Sequence, residues 1–189
     1  ILEEEAQHLL ALTNKVLTIS KLEHGQLLLE KSLIPIRPML EELTQLFTAK
    51  TNKTVTFLLN IEAEDIFADE EYLKEAVSNL IDNAIKYSGE AIEIQITSCR
   101  YNQFTQIKVK DNGIGIYLAA QNHIFDKFER ASINRSNAAD GVTGFGLGLN
   151  YVMNVTRSHG GYVSVESQEG KYSEFTISLP VSTTEETTV

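Results

Sequence analysis

Two periodicities and one glycine pattern predict an α/β protein. The fold class is a two-layer sandwich: a mixed β-sheet covered on one face by three helices and preceded by one long helix. Short segments alternate apolar and polar residues as a half-buried strand does. Longer runs repeat apolar residues at the helical spacing of three and four. Glycines cluster where such segments meet, at 113, 115, 144, 146 and 148, so the strand-to-helix connections are unusually free of side chains.

In chain order, residues 1–24 carry Leu2, Leu9, Leu12, Val16 and Ile19, and Ala6, Leu10 and Leu17 widen the stripe. That is more apolar surface than a lone helix can leave wet, so a partner helix is expected, in a longer parent or a second copy. Gly25 interrupts the pattern, and Pro35 and Pro38 mark a connection before a helix at about 39–50. Strands follow at Val55, Phe57 and Leu59, at Ile92, Ile94 and Ile96, and at Ile107 and Val109. Two more lie at Val163 and Val165 and at Phe175, Ile177 and Leu179, with polar residues such as Glu93, Gln95, Lys108 and Glu166 between. Asp69 before Glu70 and Glu71 reads as an N-cap with acids in the first turn. It opens a helix to about 86, whose buried stripe is Leu73, Ala76, Val77, Leu80 and Ala84. The third covering helix is expected at about 146–159. Domain bounds follow: a single helix and its linker at 1–30, one domain at 34–181, and a disordered Thr- and Glu-rich tail at 182–189.

With 189 residues, 42% of them apolar, the chain can bury one sizeable core. Its net charge of -10 argues against a broad nucleic-acid or anionic-membrane surface. A single cysteine, Cys99, excludes an internal disulfide and reads as a small strand residue. Neither a spanning run of roughly 18 to 20 apolar residues nor a leader is present, so a soluble, cytoplasmic piece is expected. Its start at Ile1, inside a helical pattern, implies a cut from a longer parent, for which a membrane anchor stays open.

Three segments carry chemistry. On the 70–86 helix Asn79, Asn83 and Lys86 share a face. An amide oxygen there is a hard neutral ligand for magnesium, and lysine is a point charge for phosphate. Asp111 ends a strand and enters Asn112-Gly113-Ile114-Gly115, where its carboxylate can accept from an exocyclic amine. Gly144-Phe145-Gly146-Leu147-Gly148-Leu149 leads into a helix, so free amides and the helix dipole converge on phosphate. No Gly-Lys-Ser or Gly-Lys-Thr follows, which excludes a Walker loop, and the context of a dinucleotide fold is missing. Between the glycine segments, residues 117–143 read as a lid, with Lys127, Arg130 and Arg135 as the nearest cations. His8, His123 and His159 read as plain residues; His24, at a helix end, is placed to meet the dipole.

Residues 34–181 resemble the catalytic and ATP-binding domain of sensor histidine kinases, within the superfamily that also holds gyrase-type, mismatch-repair and chaperone ATPases. Residues 79–87 resemble its N box, 111–115 its G1 box, 124–130 its F box and 144–149 its G2 box. The resemblance implies that Asn83 ligates Mg2+, that Lys86 and Arg130 contact phosphates, that Tyr87 packs near ATP, and that Asp111 binds the adenine amine. It extends the site to Asn79, Gly113, Gly115, Ile116, Phe125, Gly144, Gly146, Leu147 and Gly148. Residues 1–24 resemble the second helix of the dimerisation and phosphoacceptor hairpin, with the acceptor histidine absent, since His8 lacks the family's acidic neighbour. A kinase of this type is a homodimer through that helix, passes phosphate to a response-regulator receiver domain, and binds no nucleic acid. Two alternatives stand beside it: a gyrase- or chaperone-type ATPase, and a catalytically silent nucleotide-binding scaffold. The former places a glutamate where this chain has Asn79, and without that carboxylate water loses its proton acceptor.

Overall fold

The computed structural model describes residues 2–128 and 146–181. A long helix α1 (Leu2–Glu23) leads into β1 (Ser32–Pro35), α2 (Ile36–Lys50), β2 (Thr54–Ile61), β3 (Asp65–Ala68) and α3 (Glu70–Lys86). Then come β4 (Ala91–Tyr101), β5 (Phe104–Asp111), the single turn α4 (Leu118–Gln121), α5 (Gly148–Ser158), β6 (Tyr162–Gln168) and β7 (Tyr172–Pro180). The main sheet has the order β2-β4-β5-β7-β6, and β1 and β3 form a separate antiparallel pair. Among the described strands only β2 and β4 run parallel; β4–β5, β5–β7 and β6–β7 are antiparallel. The sheet is therefore mixed.

Alternation decides the layers. Ile92, Ile94 and Ile96 of β4, Ile107 and Val109 of β5, and Phe175, Ile177 and Leu179 of β7 are buried in one core with the stripes of α2, α3 and α5. Glu93 and Gln95, on the opposite face, are exposed. The centre of that outer face is not bare: Gln106 and Ser178 are buried there, and the Gln106 amide donates to the Ser178 hydroxyl at 3.0 Å.

The expected strands and helices are present, with three differences. Helix α2 begins at Ile36 rather than near 39, because Pro38 is tolerated in a first turn where its missing N–H has no partner to lose. The two prolines thus bracket the start of a helix. Strands β1 and β3, four residues each, and the single turn α4 were not expected, since four residues carry too few periods to be read.

Helix α1 meets the core through one edge of its stripe. Ile19 and Leu22 are buried, Leu12 is half-buried, and α1 packs on α5, each full side chain contributing about 1.5–3 kcal/mol. Leu9, Leu10, Val16 and Leu17 remain exposed on the other edge. Part of the partner that the sequence required is thus α5 of the same chain. The tail at 182–189 lies outside the described residues. Among the described residues, no helix is long and apolar enough to cross a membrane.

Two clamps fix α3 in this frame. At its C-terminus Lys53, from the α2–β2 turn, donates to the carbonyls of Ile85 and Ser88, both at 3.0 Å. At its N-terminus Asp69 accepts from Tyr72 N–H and, through its other oxygen, from Glu30 N–H at 2.8 Å. The Asp69 N–H in turn donates to His159 Nε2 at 2.9 Å, and His159 Nδ1 lies 2.7 Å from the Val155 carbonyl. That pairing requires a neutral ring with its proton on Nδ1. Burial lowers the pKa of His159 below 6.5, with Lys31 adding to the shift and the Val155 carbonyl and Asp69 opposing it.

Because the unfolded chain binds this proton more readily than the folded one, the stability that His159 contributes is present above about pH 6.5 and is lost as pH falls below that value. Denaturant melts between pH 7.5 and 5.5 should show this loss in the wild type and a smaller one in His159→Ala. At pH 7.5 the variant should be less stable by about 1–3 kcal/mol, the cost of a buried N–H without an acceptor.

Candidate functional site

The polar side of α3 is built by helical spacing. Asn79, Asn83 and Lys86 lie on it, half-buried, above the stripe of Ala76, Leu80 and Ala84. The Asn79 amide nitrogen donates to the Glu75 carbonyl at 2.8 Å, which turns its oxygen toward Lys15 and Gly148. Lys86 is ion-paired one turn back with Asp82, at 2.5 Å. Tyr87 caps the helix, its N–H on the Asn83 carbonyl at 2.9 Å and its own carbonyl accepting from Ile114 N–H at 3.1 Å.

That last bond joins α3 to the turn after β5. Asp111 is buried, and its Oδ1 accepts from Gly113 N–H at 2.8 Å. Burial pushes its carboxyl up to about 6, opposed by the backbone N–H groups of Gly113 and Ser173. A Cβ on Gly113 would stand 2.6 Å from the Tyr87 carbonyl, 2.7 Å from Asp111 Oδ1 and 2.9 Å from Ser88 Oγ. At Gly115, where φ is +67°, it would stand 2.1 Å from the Gln168 carbonyl. Both glycines are therefore required by close approach, and the second by its conformation as well. Ile116, half-buried, donates its N–H to Ser167 Oγ at 2.7 Å.

The second glycine segment is described from Gly146 onward. Gly146 has φ +68°, and its carbonyl accepts from Phe128 N–H at 3.1 Å. Leu147 is buried at the N-cap of α5, so the first amides of that helix have no side-chain cap. Gly148 opens the helix, and a Cβ there would lie 3.2 Å from Asn79 Oδ1. The start of α5 thus touches the polar face of α3. Phe125 packs edge-on against Phe175, with centroids 6.3 Å apart, and its carbonyl accepts from the Asn150 amide at 2.9 Å. Its ring is part of the core edge. Lys127 forms an ion pair with Glu23 of α1 at 2.6 Å. Arg130, Gly144, Arg135 and most of the expected lid lie outside the described residues.

Four participants were given no role by the sequence reading. Ser88 Oγ is buried beside Gly113 and Asp111 with no hydrogen-bond partner among the described residues. Tyr151 of α5 is fully buried and donates its hydroxyl to Glu75 Oε2 at 2.6 Å; burial and that carboxylate push its ionisation far up. Lys15 of α1 bonds Asn79 Oδ1, lies 3.9 Å from Glu75 Oε1, and sits 5.3 Å from the centre of the Tyr151 ring. Glu75, one turn before Asn79, was the readable signal; Lys15 and Tyr151 meet it only through folding. An open cleft of about 470 Å3 runs beside this cluster, lined by Lys15, Phe47, Lys50, Asn79 and Asp82 among others; Asp111 and the described glycines do not line it.

A family model described as "Histidine kinase-, DNA gyrase B-, and HSP90-like ATPase" matches residues 68–183. The chain is 33% identical over 182 residues to the sensor histidine kinase RppB of Synechocystis sp., covering 95% of this chain and 39% of that protein. It is 32% identical over 174 residues to the adaptive-response sensory kinase SasA of the same organism, covering 90% of this chain and 44% of that protein. It therefore spans less than half the length of these relatives. Among solved structures, full-length ShkA in complex with AMPPNP superposes with a TM-score of 0.78 at 26% identity, over 94% of this chain and 36% of that one. The catalytic domain of the histidine kinase ThkA gives 0.68 at 26% identity, over 80% of this chain and 96% of that one. The histidine kinase AdeS of Acinetobacter baumannii gives 0.78 at 24% identity, over 95% of this chain and 82% of that one, a likeness of fold. With sensor histidine kinases as its relatives and a mixed sheet backed by three helices as its fold, the chain belongs to the histidine kinase-, DNA gyrase B- and HSP90-like ATPase family.

Proposed function

We propose that this chain is the ATP-binding catalytic part of a sensor histidine kinase. In this reading it presents the terminal phosphate of ATP to a histidine on a helical hairpin of which α1 is the second helix. The supporting observation is that three segments far apart in sequence, the polar face of α3, the turn after β5 and the start of α5, close on one another through Tyr87–Ile114 and Asn79–Gly148.

The donors suit the nucleotide. At the base end a buried carboxylate, an orphaned serine hydroxyl and the two glycines of the turn after β5 form a cradle for a flat ring bearing an amine. Asp111 accepts from that amine and so selects adenine. At the phosphate end the uncapped amides of α5 and Lys86 supply positive charge; Arg130, which the resemblance adds, lies outside the described residues. Among the described residues no three His, Cys, Asp or Glu side chains gather to hold a metal, so a divalent cation here relies on the Asn83 amide and phosphate oxygens. Mg2+ bound there would neutralise charge on the phosphates. The chain's own residues orient the nucleotide, and transfer breaks the bond from the terminal phosphorus to its bridging oxygen as a bond to the imidazole nitrogen forms.

We place the phosphorylated histidine in the parent's first hairpin helix, dimerisation on the exposed leucines of α1, onward transfer to a receiver-domain aspartate, and the whole unit in the cytoplasm. The net charge of -10 supports a reading without nucleic acid. Asn79 in place of a glutamate disfavours water activation and with it the clamp-ATPase alternative.

Calorimetric titration with Mg2+ and a non-hydrolysable ATP analogue should give binding that falls about tenfold to a hundredfold in Asp111→Ala, the worth of a hydrogen bond to a charged group. Affinity should rise as pH increases through about 6, where the Asp111 carboxyl ionises, and this rise should vanish in Asp111→Asn. Binding that survives Asn83→Ala and Asp111→Ala together would refute the assignment. Joined to an upstream acceptor helix and given labelled ATP, the chain should place acid-labile, base-stable label on histidine, and Asn83→Ala should abolish it.

A further inference from the structure

The cluster on α1 that the nucleotide reading leaves unexplained centres on Lys15. Its ammonium lies on Asn79 Oδ1, 3.9 Å from a Glu75 oxygen and over the Tyr151 ring, while Tyr151 bonds the other Glu75 oxygen at 2.6 Å. Three helices thus meet on one cation. Burial of the Lys15 side chain opposes its charge, whereas Glu75 and Asp82 favour it and Lys86 disfavours it. A mostly buried lysine is expensive, and an apolar residue here would pack on Tyr151 at less cost. Its placement is more telling than its partners. The Asn79 oxygen it holds is the one that a Cβ on Gly148 would approach to 3.2 Å, so the ammonium stands one amide away from the uncapped start of α5.

We infer that Lys15 is a phosphate-end cation of the nucleotide site, delivered by docking of α1, so that triphosphate binding and docking of that helix reinforce each other. This rests on the nucleotide reading above and adds a residue from outside the matched family region, which begins at 68. In the reading above the terminal phosphate is the one presented toward the hairpin of which α1 is part, so an ammonium carried by α1 acts on it more than on the inner phosphates. Ile19 and Leu22, buried one and two turns further on, hold the helix down, and the Glu23–Lys127 ion pair closes its end. By reciprocity of linked equilibria, a triphosphate that favours the lysine favours the docked helix to the same extent.

The test uses the 189-residue chain, Lys15→Met and Lys15→Arg, each titrated in low salt with Mg2+ and a non-hydrolysable ATP analogue, with Mg2+ and ADP, and with adenosine. Lys15→Met keeps the packing and removes the charge. It should bind the ATP analogue about tenfold more weakly, ADP only slightly more weakly and adenosine equally, as loss of one partly screened charge at the terminal phosphate requires. Lys15→Arg should recover most of the loss. Equal losses for all three ligands would mean a structural role and overturn the inference. Tighter binding of the ATP analogue by Lys15→Met would mean that the lysine obstructs the site, and would overturn it too. A wild-type chain that binds none of the three removes the nucleotide reading and this inference with it. Wild-type binding matched by Lys15→Met removes this inference alone.

Discussion

Positions 113 and 115 in the turn after β5 have no room for side chains, and the rest of the site is arranged around that constraint. Its backbone is gripped on one side by the Tyr87 carbonyl at the end of α3 and on the other by the β6–β7 hairpin, where Gly170 N–H reaches the Ile114 carbonyl at 2.7 Å. A methyl group at 113 or 115 would collide with backbone oxygen on either side. Backbone cannot swing aside as a flexible side chain can, so these positions tie helix, turn and hairpin into one rigid unit. Asp111 sits inside that unit with two N–H donors and little water, the environment that raises a carboxyl while keeping it able to accept.

Polar groups in such a place are costly unless each has a purpose or a partner. His159 has partners for both ring nitrogens, and it joins the end of α5 to the start of α3. Tyr151 and Glu75 satisfy each other. Among the described residues Ser88 Oγ has no partner, and it lies beside Gly113 and the Asp111 carboxylate. Satisfied networks cross-brace α3 and α5, and of the two buried hydroxyls without a partner among the described residues, Ser88 lies beside the glycine turn and Thr105 at the other end of β5.

Much of this was readable in the chain. The strands of the main sheet announced themselves by alternation because one face is buried, and α3 by its N-cap and stripe. The placement of Asn79 on a helix face, and of Asp111, Gly113 and Gly115 at a strand end and its turn, was readable because short-range spacing sets it. The β1–β3 pair was not, since four residues set no period and its stability comes from a register made across residues 36–64. His159 was read as plain because its acceptor role depends on Asp69, ninety positions away in sequence. Lys15 had no local signal either: a lysine on an amphipathic helix is ordinarily solvated, and only docking of α1 onto α5 turns it toward Asn79. What sequence hides is the set of contacts that tertiary packing alone creates.

The parallel β2–β4 ladder sits at the sheet margin, and every residue of β2 keeps some exposure. Margins of this kind breathe more readily than central strands, since fewer neighbours resist the opening. Here that breathing is not isolated. Lys53, in the turn that leads into β2, holds the last carbonyls of α3, so fraying of the outermost strand loosens the helix terminus that presents Tyr87 to the glycine turn. The strand farthest from β7 is thereby tied, through Lys53, to the helix end that meets the glycine turn.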